Sequence, residues 1–98
     1  MSNSDLEFLA TLENLITERR ASPSANSYTS ELFAAGTQRI AQKVGEEAVE
    51  VALASCHKDR DDTVGEAADL IYHLLVLLAN QEITLADVVN KLQSRHAA

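Results

Sequence analysis

Apolar residues along this chain recur at intervals of three and four, the spacing that lines one side of an α-helix, and no segment shows the alternation of a half-buried strand. Leu6, Leu9, Ala10, Leu15 and Ile16 predict a first helix from about Leu6 to Arg20, opened by Ser4-Asp5-Leu6-Glu7, which has capping-box form. The pattern then breaks. Residues 21–30 read as a flexible loop, because Ala21 to Ser27 is rich in small polar residues and holds the only proline. Tyr28, Thr29 and Ser30 lead into a short helix over Glu31–Ala35, ended by Gly36. A long helix follows from about Thr37 to Cys56, with Ile40, Val44, Ala48, Val51 and Ala52 marking its apolar side. After a charged connection over 57–62, Thr63-Val-Gly-Glu66 opens a helix whose apolar residues from Val64 to Ala79 surround almost the whole wheel, the pattern of a buried element. Thr84 with Asp87 makes a second capping box, and Leu85, Val88, Val89 and Leu92 carry a last helix to about Arg95.

Composition narrows this to one all-α domain over residues 1–98. With 46% hydrophobic residues, three glycines and one proline, there is material for a core and little to interrupt helices. Long helices in so short a chain leave apolar surface uncovered, which favours self-association. The formal charge of −7 excludes binding to a nucleic-acid backbone through general electrostatics. Polyphosphates remain accessible if a divalent cation bridges them to carboxylates. The single cysteine, Cys56, excludes an intrachain disulfide. Neither a signal-peptide pattern nor an apolar run of membrane-spanning length is present, so a cytoplasmic protein without membrane contacts is expected.

Two acidic clusters carry the chemistry. At about 100° per residue, Arg39, Lys43, Glu46, Glu47 and Glu50 share an arc of roughly 100° opposite the assigned apolar side. Taken alone, this stripe is a solvated face stitched by i, i+3 and i, i+4 pairs. Glu66, Asp69 and His73 are harder to dismiss, since they lie within about 60° of one another on the otherwise apolar helix. Glu66 could simply complete a capping box with Thr63, and a histidine in such a place is more often a satisfied core residue than a ligand. Asp69 lies deeper, where a cap explains little. Unpaired carboxylates near a packed surface are costly unless protonated or bound to a cation. Acid-only ligation points to Mg²⁺, with Mn²⁺ as an alternative, rather than zinc or iron.

Glu46-Glu47-x-x-Glu50 followed by Glu66-x-x-Asp69 resembles the signature of the MazG-like all-α nucleoside triphosphate pyrophosphohydrolases. Ser27-Tyr28-Thr29, Leu32-Phe33, Gly36, Arg39-Ile40, Lys43-Val44-Gly45-Glu46-Glu47 and Glu66 through Leu74 resemble more closely the phosphoribosyl-ATP pyrophosphohydrolase family of histidine biosynthesis. The resemblance runs from about Leu6 to Leu92. It implies a four-helix-bundle-like, dimeric fold, and with no cyclohydrolase half recognised in this sequence a stand-alone form is expected. It also implies Mg²⁺-dependent hydrolysis of 1-(5-phosphoribosyl)-ATP to 1-(5-phosphoribosyl)-AMP and pyrophosphate, the second step of histidine synthesis.

Carried over residue by residue, the resemblance makes Glu47, Glu50, Glu66 and Asp69 metal ligands. Glu46 is a further ligand or the group that orients the attacking water, which makes Glu46 and Glu47 the catalytic pair. Lys43 and Arg39 would hold phosphate oxygens, or else only pair with Glu46 and Glu47. Tyr28 and Thr29 would order over the substrate, or else only anchor the loop. Two other readings follow from the same residues. One is a house-cleaning enzyme acting on simple deoxynucleotides. The other is a non-enzymatic helical dimerisation module whose acids are solvated faces and caps.

Overall fold

The computed structural model describes residues 1–97, and among them every regular element is helical. The chain forms α1 (Asn3–Ala21), α2 (Tyr28–Ala35), α3 (Thr37–Cys56), α4 (Arg60–Asn80) and α5 (Leu85–Arg95). The all-α expectation holds.

Local hydrogen bonding sets the boundaries, and three starts differ from the sequence reading. Helix α1 is capped by Ser2, whose Oγ accepts the Asp5 N–H at 3.2 Å while the Asp5 carboxylate accepts the Ser2 N–H at 3.1 Å. The capping box therefore stands two residues earlier than Ser4. Helix α2 begins at Tyr28 because the Ser27 hydroxyl accepts the Ser30 N–H, a cap worth about 1 kcal/mol. Residues 28–30 thus belong to the first turn of a helix and not to the loop. Helix α4 begins a turn before Thr63. Asp59 caps it through the Asp62 N–H, Asp61 and Asp62 favour the positive end of the helix dipole, and Thr63 merely donates to the Asp59 carbonyl. The box of Thr84 and Asp87 forms as expected and opens α5.

Helices α3 and α4 make the largest interface, an antiparallel pair closed at one end by residues 57–59 and tied at the other by Asn80 Nδ2 donating to Thr37 Oγ1. Gly36, at φ +97°, turns the chain directly from α2 into α3, a left-handed conformation that glycine adopts without the clash a Cβ brings. The core is small and shared. Ile16 from α1, Leu32 from α2, Ile40 from α3 and Leu75 and Val76 from α4 form one buried cluster. Helix α5 adds only the half-buried Leu85 to it, and its N-terminal end is held by the Glu13 carboxylate, which accepts the Leu85 N–H at 2.6 Å.

Helix α4 is not buried all round. His73, Leu75 and Val76 are covered, whereas Val64, Ile71 and Leu74 stay exposed. The wheel pattern expresses apolar capacity on every side, but one chain has elements enough to cover only part of it.

Candidate metal and phosphate site

Ile40, Glu47 and Ala54 are the buried residues of α3, seven apart and so two turns apart on one line. That line is the seam against α4. Glu47 therefore faces the protein at 6% exposure instead of standing on a solvated face opposite the core. This corrects the sequence reading, in which Ala48 and Ala52 marked the buried side; both are exposed. The apolar centre of the α3 wheel and its packed centre differ because contact with α4 selects the strip.

Across the seam, Glu47, Glu66 and Asp69 each bring a carboxylate oxygen within 4.8 Å of the others. Glu47 Oε2 and Glu66 Oε2 are buried without a hydrogen-bond partner. Leaving such atoms unsatisfied costs free energy that a hard divalent cation with oxygen preference would recover. The donor set fits Mg²⁺ or Mn²⁺. Glu50 is exposed at the edge of this group, close enough to act on Glu66. Glu46 lies outside this group, taking the Gln42 amide at 2.9 Å and sharing Lys43 Nζ, at 3.6 Å, with Glu47.

Electrostatics distinguish the acids. The Glu50 carboxylate, then burial, then the Glu47 charge push Glu66 up to about 7. Burial also pushes Glu47 upward, but the bond from Lys43, followed by the neighbouring Glu66 carboxyl, more than offsets it and holds Glu47 below the usual carboxylate range. Lys43, 3.3 Å from Glu47 Oε1, is held above its ordinary value chiefly by that bond.

A stability prediction follows from Glu66. Its carboxyl titrates near 4.5 when unfolded and near 7 when folded, so within that window the folded state binds more protons. Stability of the metal-free protein therefore falls as pH rises from about 4.5 to about 7. Urea midpoints in EDTA at pH 5 and pH 7.5 read this directly; a higher midpoint at pH 7.5 would contradict the assignment.

Tyr28 and Thr29, on the first turn of α2, reach α4 one turn beyond Asp69. The Tyr28 hydroxyl lies 3.0 Å from His73 Nε2, and the Thr29 hydroxyl bonds the Tyr72 hydroxyl. Sequence reasoning weighed His73 as a core residue or a ligand, foresaw no contact with Tyr28, and gave Tyr72 no role. Contacts between residues 43 to 45 positions apart leave no periodic trace. Arg39 is exposed and forms no ion pair with a described residue, so the structure joins Lys43 to the acids and leaves Arg39 outside.

A family model described as phosphoribosyl-ATP pyrophosphohydrolase matches residues 9–96, a span that contains every residue of the site. The chain belongs to that family. Among curated relatives, the histidine biosynthesis bifunctional protein HisIE of Campylobacter jejuni is 54% identical over 96 residues, covering 98% of this chain and 46% of that protein. HisIE of Yersinia pestis is 52% identical over 93 residues, with 95% and 46% covered, and HisIE of Vibrio cholerae 53% over 93 residues, with 95% and 44% covered. The chain thus spans about half the length of the curated relatives it matches. Family and all-helical frame are both as the resemblance implied.

Proposed function

We propose that this chain hydrolyses 1-(5-phosphoribosyl)-ATP to 1-(5-phosphoribosyl)-AMP and pyrophosphate, with Mg²⁺ as cofactor. The observation that carries this reading is the cluster of Glu47, Glu66 and Asp69 with two buried carboxylate oxygens left without partners. Solvated faces and caps do not produce that arrangement, and Glu66 caps nothing, since Asp59 opens α4. Glu47, Glu66 and Asp69, with Glu50 at the edge, would hold the ion, which supplies charge neutralisation and Lewis acidity at the phosphates. Lys43, already drawn to the acids, offers its ammonium to phosphate oxygens. Arg39, free at the surface, would meet more distant ones. Glu46, bonded to Lys43 and Gln42 beside the cluster, would orient water. Most of the catalysis is then positioning and preorganised charge. The exposed free thiol of Cys56 suits a reducing, cytoplasmic setting.

Pyrophosphate release from phosphoribosyl-ATP, with ATP and dUTP in parallel, tests the reading. Turnover of phosphoribosyl-ATP alone, abolished by EDTA, is expected. Turnover of dUTP or ATP instead would move the protein to a house-cleaning role.

The active form is proposed to be a homodimer. Val49 and Leu53 on the outer side of α3, and Val64, Ile71 and Leu74 on that of α4, are exposed strips opposite the buried ones. On α5, Val89 and Leu92 are exposed as well. A second copy covers such strips by the same packing that covers the inner ones. Sedimentation should give twice the chain mass, shifted to the single-chain mass by Leu53→Glu; a parent that sediments as a monomer at high concentration ends this reading.

A further inference from the structure

We propose that His73 is a positioning residue, which fixes the Tyr28 hydroxyl and with it the first turn of α2 beside the acid cluster. The inference rests on the reading of Tyr28 as a group that meets substrate. His73 is only 5% exposed, while Tyr28 is 48% exposed, so the histidine is sealed in and the tyrosine is open to a ligand. The direction of the hydrogen bonds follows from their ends. His73 Nδ1 lies 2.7 Å from the Asp69 carbonyl oxygen, which can only accept, so Nδ1 carries the proton. In the neutral imidazole Nε2 is then the acceptor, and the Tyr28 hydroxyl at 3.0 Å donates to it.

With its proton committed to His73, the Tyr28 oxygen presents lone pairs to the site. It is matched to a hydrogen-bond donor, such as a hydroxyl or amino group of the substrate, and not to a bare phosphate oxygen. The rings reinforce the placement. Tyr28 stacks on Tyr72 at 6.2 Å between centroids, and His73 stands edge-on to Tyr28 at 5.8 Å and to Tyr72 at 5.0 Å. The bond between Thr29 and Tyr72 makes a second point of attachment, so two consecutive residues of α2 engage two consecutive residues of α4. Because His73 is one turn beyond Asp69 and bonded to its carbonyl, the latch and the metal acids share one rigid segment.

Two substitutions separate the bonds of His73. In His73→Asn the side-chain amide keeps the bond to the Asp69 carbonyl but falls short of Tyr28. In His73→Gln the carbonyl oxygen reaches the position of Nε2 and accepts from Tyr28. KM and kcat for phosphoribosyl-ATP, and amide hydrogen exchange over Tyr28–Ala35, are measured for both, for Tyr28→Phe and for the Tyr28→Phe/His73→Asn pair. His73→Asn and Tyr28→Phe should each raise KM about 3- to 10-fold, the worth of one hydrogen bond, with kcat within about twofold. The double variant should be no worse than either single one. His73→Gln should restore KM, and α2 exchange should quicken in the first two variants and not in the third. Equal effects of Asn and Gln, additivity with Tyr28→Phe, or unchanged α2 exchange would overturn the proposal. The exchange measurement needs no substrate. Quickened exchange with no turnover by the parent would sink the proposed reaction and leave the latch standing.

Discussion

Replacing Glu66 with glutamine is expected to abolish turnover and weaken Mg²⁺ binding while making the metal-free protein more stable at pH 8. The two effects have one cause. At that pH the metal-free chain holds Glu66 ionised beside Glu50 and Glu47, against an affinity for the proton that persists to about 7. Glutamine has nearly the same shape and no charge, so it removes the repulsion, and its amide donates to the neighbouring carboxylates. On the proposed reading the same change also removes a carboxylate that would hold the cation, and the cation is what neutralises the phosphates. Deleting one preorganised electrostatic group costs about 100- to 1,000-fold in kcat, and a metal ligand belongs at the upper end of that range or beyond it. Gains in stability at the expense of activity are characteristic of residues kept for function. The urea midpoint in EDTA and the rate of pyrophosphate release decide the matter together. The parent's fall in stability between pH 5 and pH 7.5 should also shrink in the variant, because Glu66 is its source. A variant that is less stable and fully active would show instead that Glu66 holds the fold and not an ion.

Ile40→Ala should be the most damaging single truncation of the core. Ile40 is fully buried at the point where α3 meets residues from α1, α2 and α4. Removing most of a buried Ile side chain costs about 2–5 kcal/mol, depending on how far the site collapses. A domain of this length has about 5–15 kcal/mol in total, and each kcal/mol moves the midpoint by about 4–8 °C. A fall of roughly 10 °C or more is therefore expected by calorimetry. Leu53→Ala is the control. Leu53 is 57% exposed in the single chain, so its loss should matter only where a second copy covers it, and the effect should depend on protein concentration. Ile40 also lies two turns before Glu47 on the seam between α3 and α4. A cavity there should loosen the spacing of the acids, so Mg²⁺ affinity measured well below the melting temperature should fall too. Unchanged stability would mean that Ile40 is not a packing centre.

Much of this protein is local and could be read along the chain. Helix content, the cap at Thr84, the stop at Gly36 and the two acid groups all depend on residues within a turn or two of one another, and such interactions leave their spacing in the sequence. The acid signature is of this kind. Glu47 with Glu50, and Glu66 with Asp69, are i, i+3 pairs that any α-helix presents along one side. Competition between neighbours blurred the rest. Ser2 rather than Ser4, and Asp59 rather than Thr63, won the caps, since several residues in each stretch can accept a backbone N–H.

Tertiary contact decided the remainder. Which strip of α3 is buried was set by α4, and it put Glu47 inside and Ala48 outside, against the apolar average of the wheel. The pairing of Tyr28 with His73 and of Thr29 with Tyr72 joins positions more than forty residues apart, and only the packing of α2 on α4 brings them together. Residue type and spacing determined which groups the chain has available for binding phosphate and metal. The fold alone determined which of them meet, because a helix fixes the angle between its own side chains but has no control over the surface it packs against.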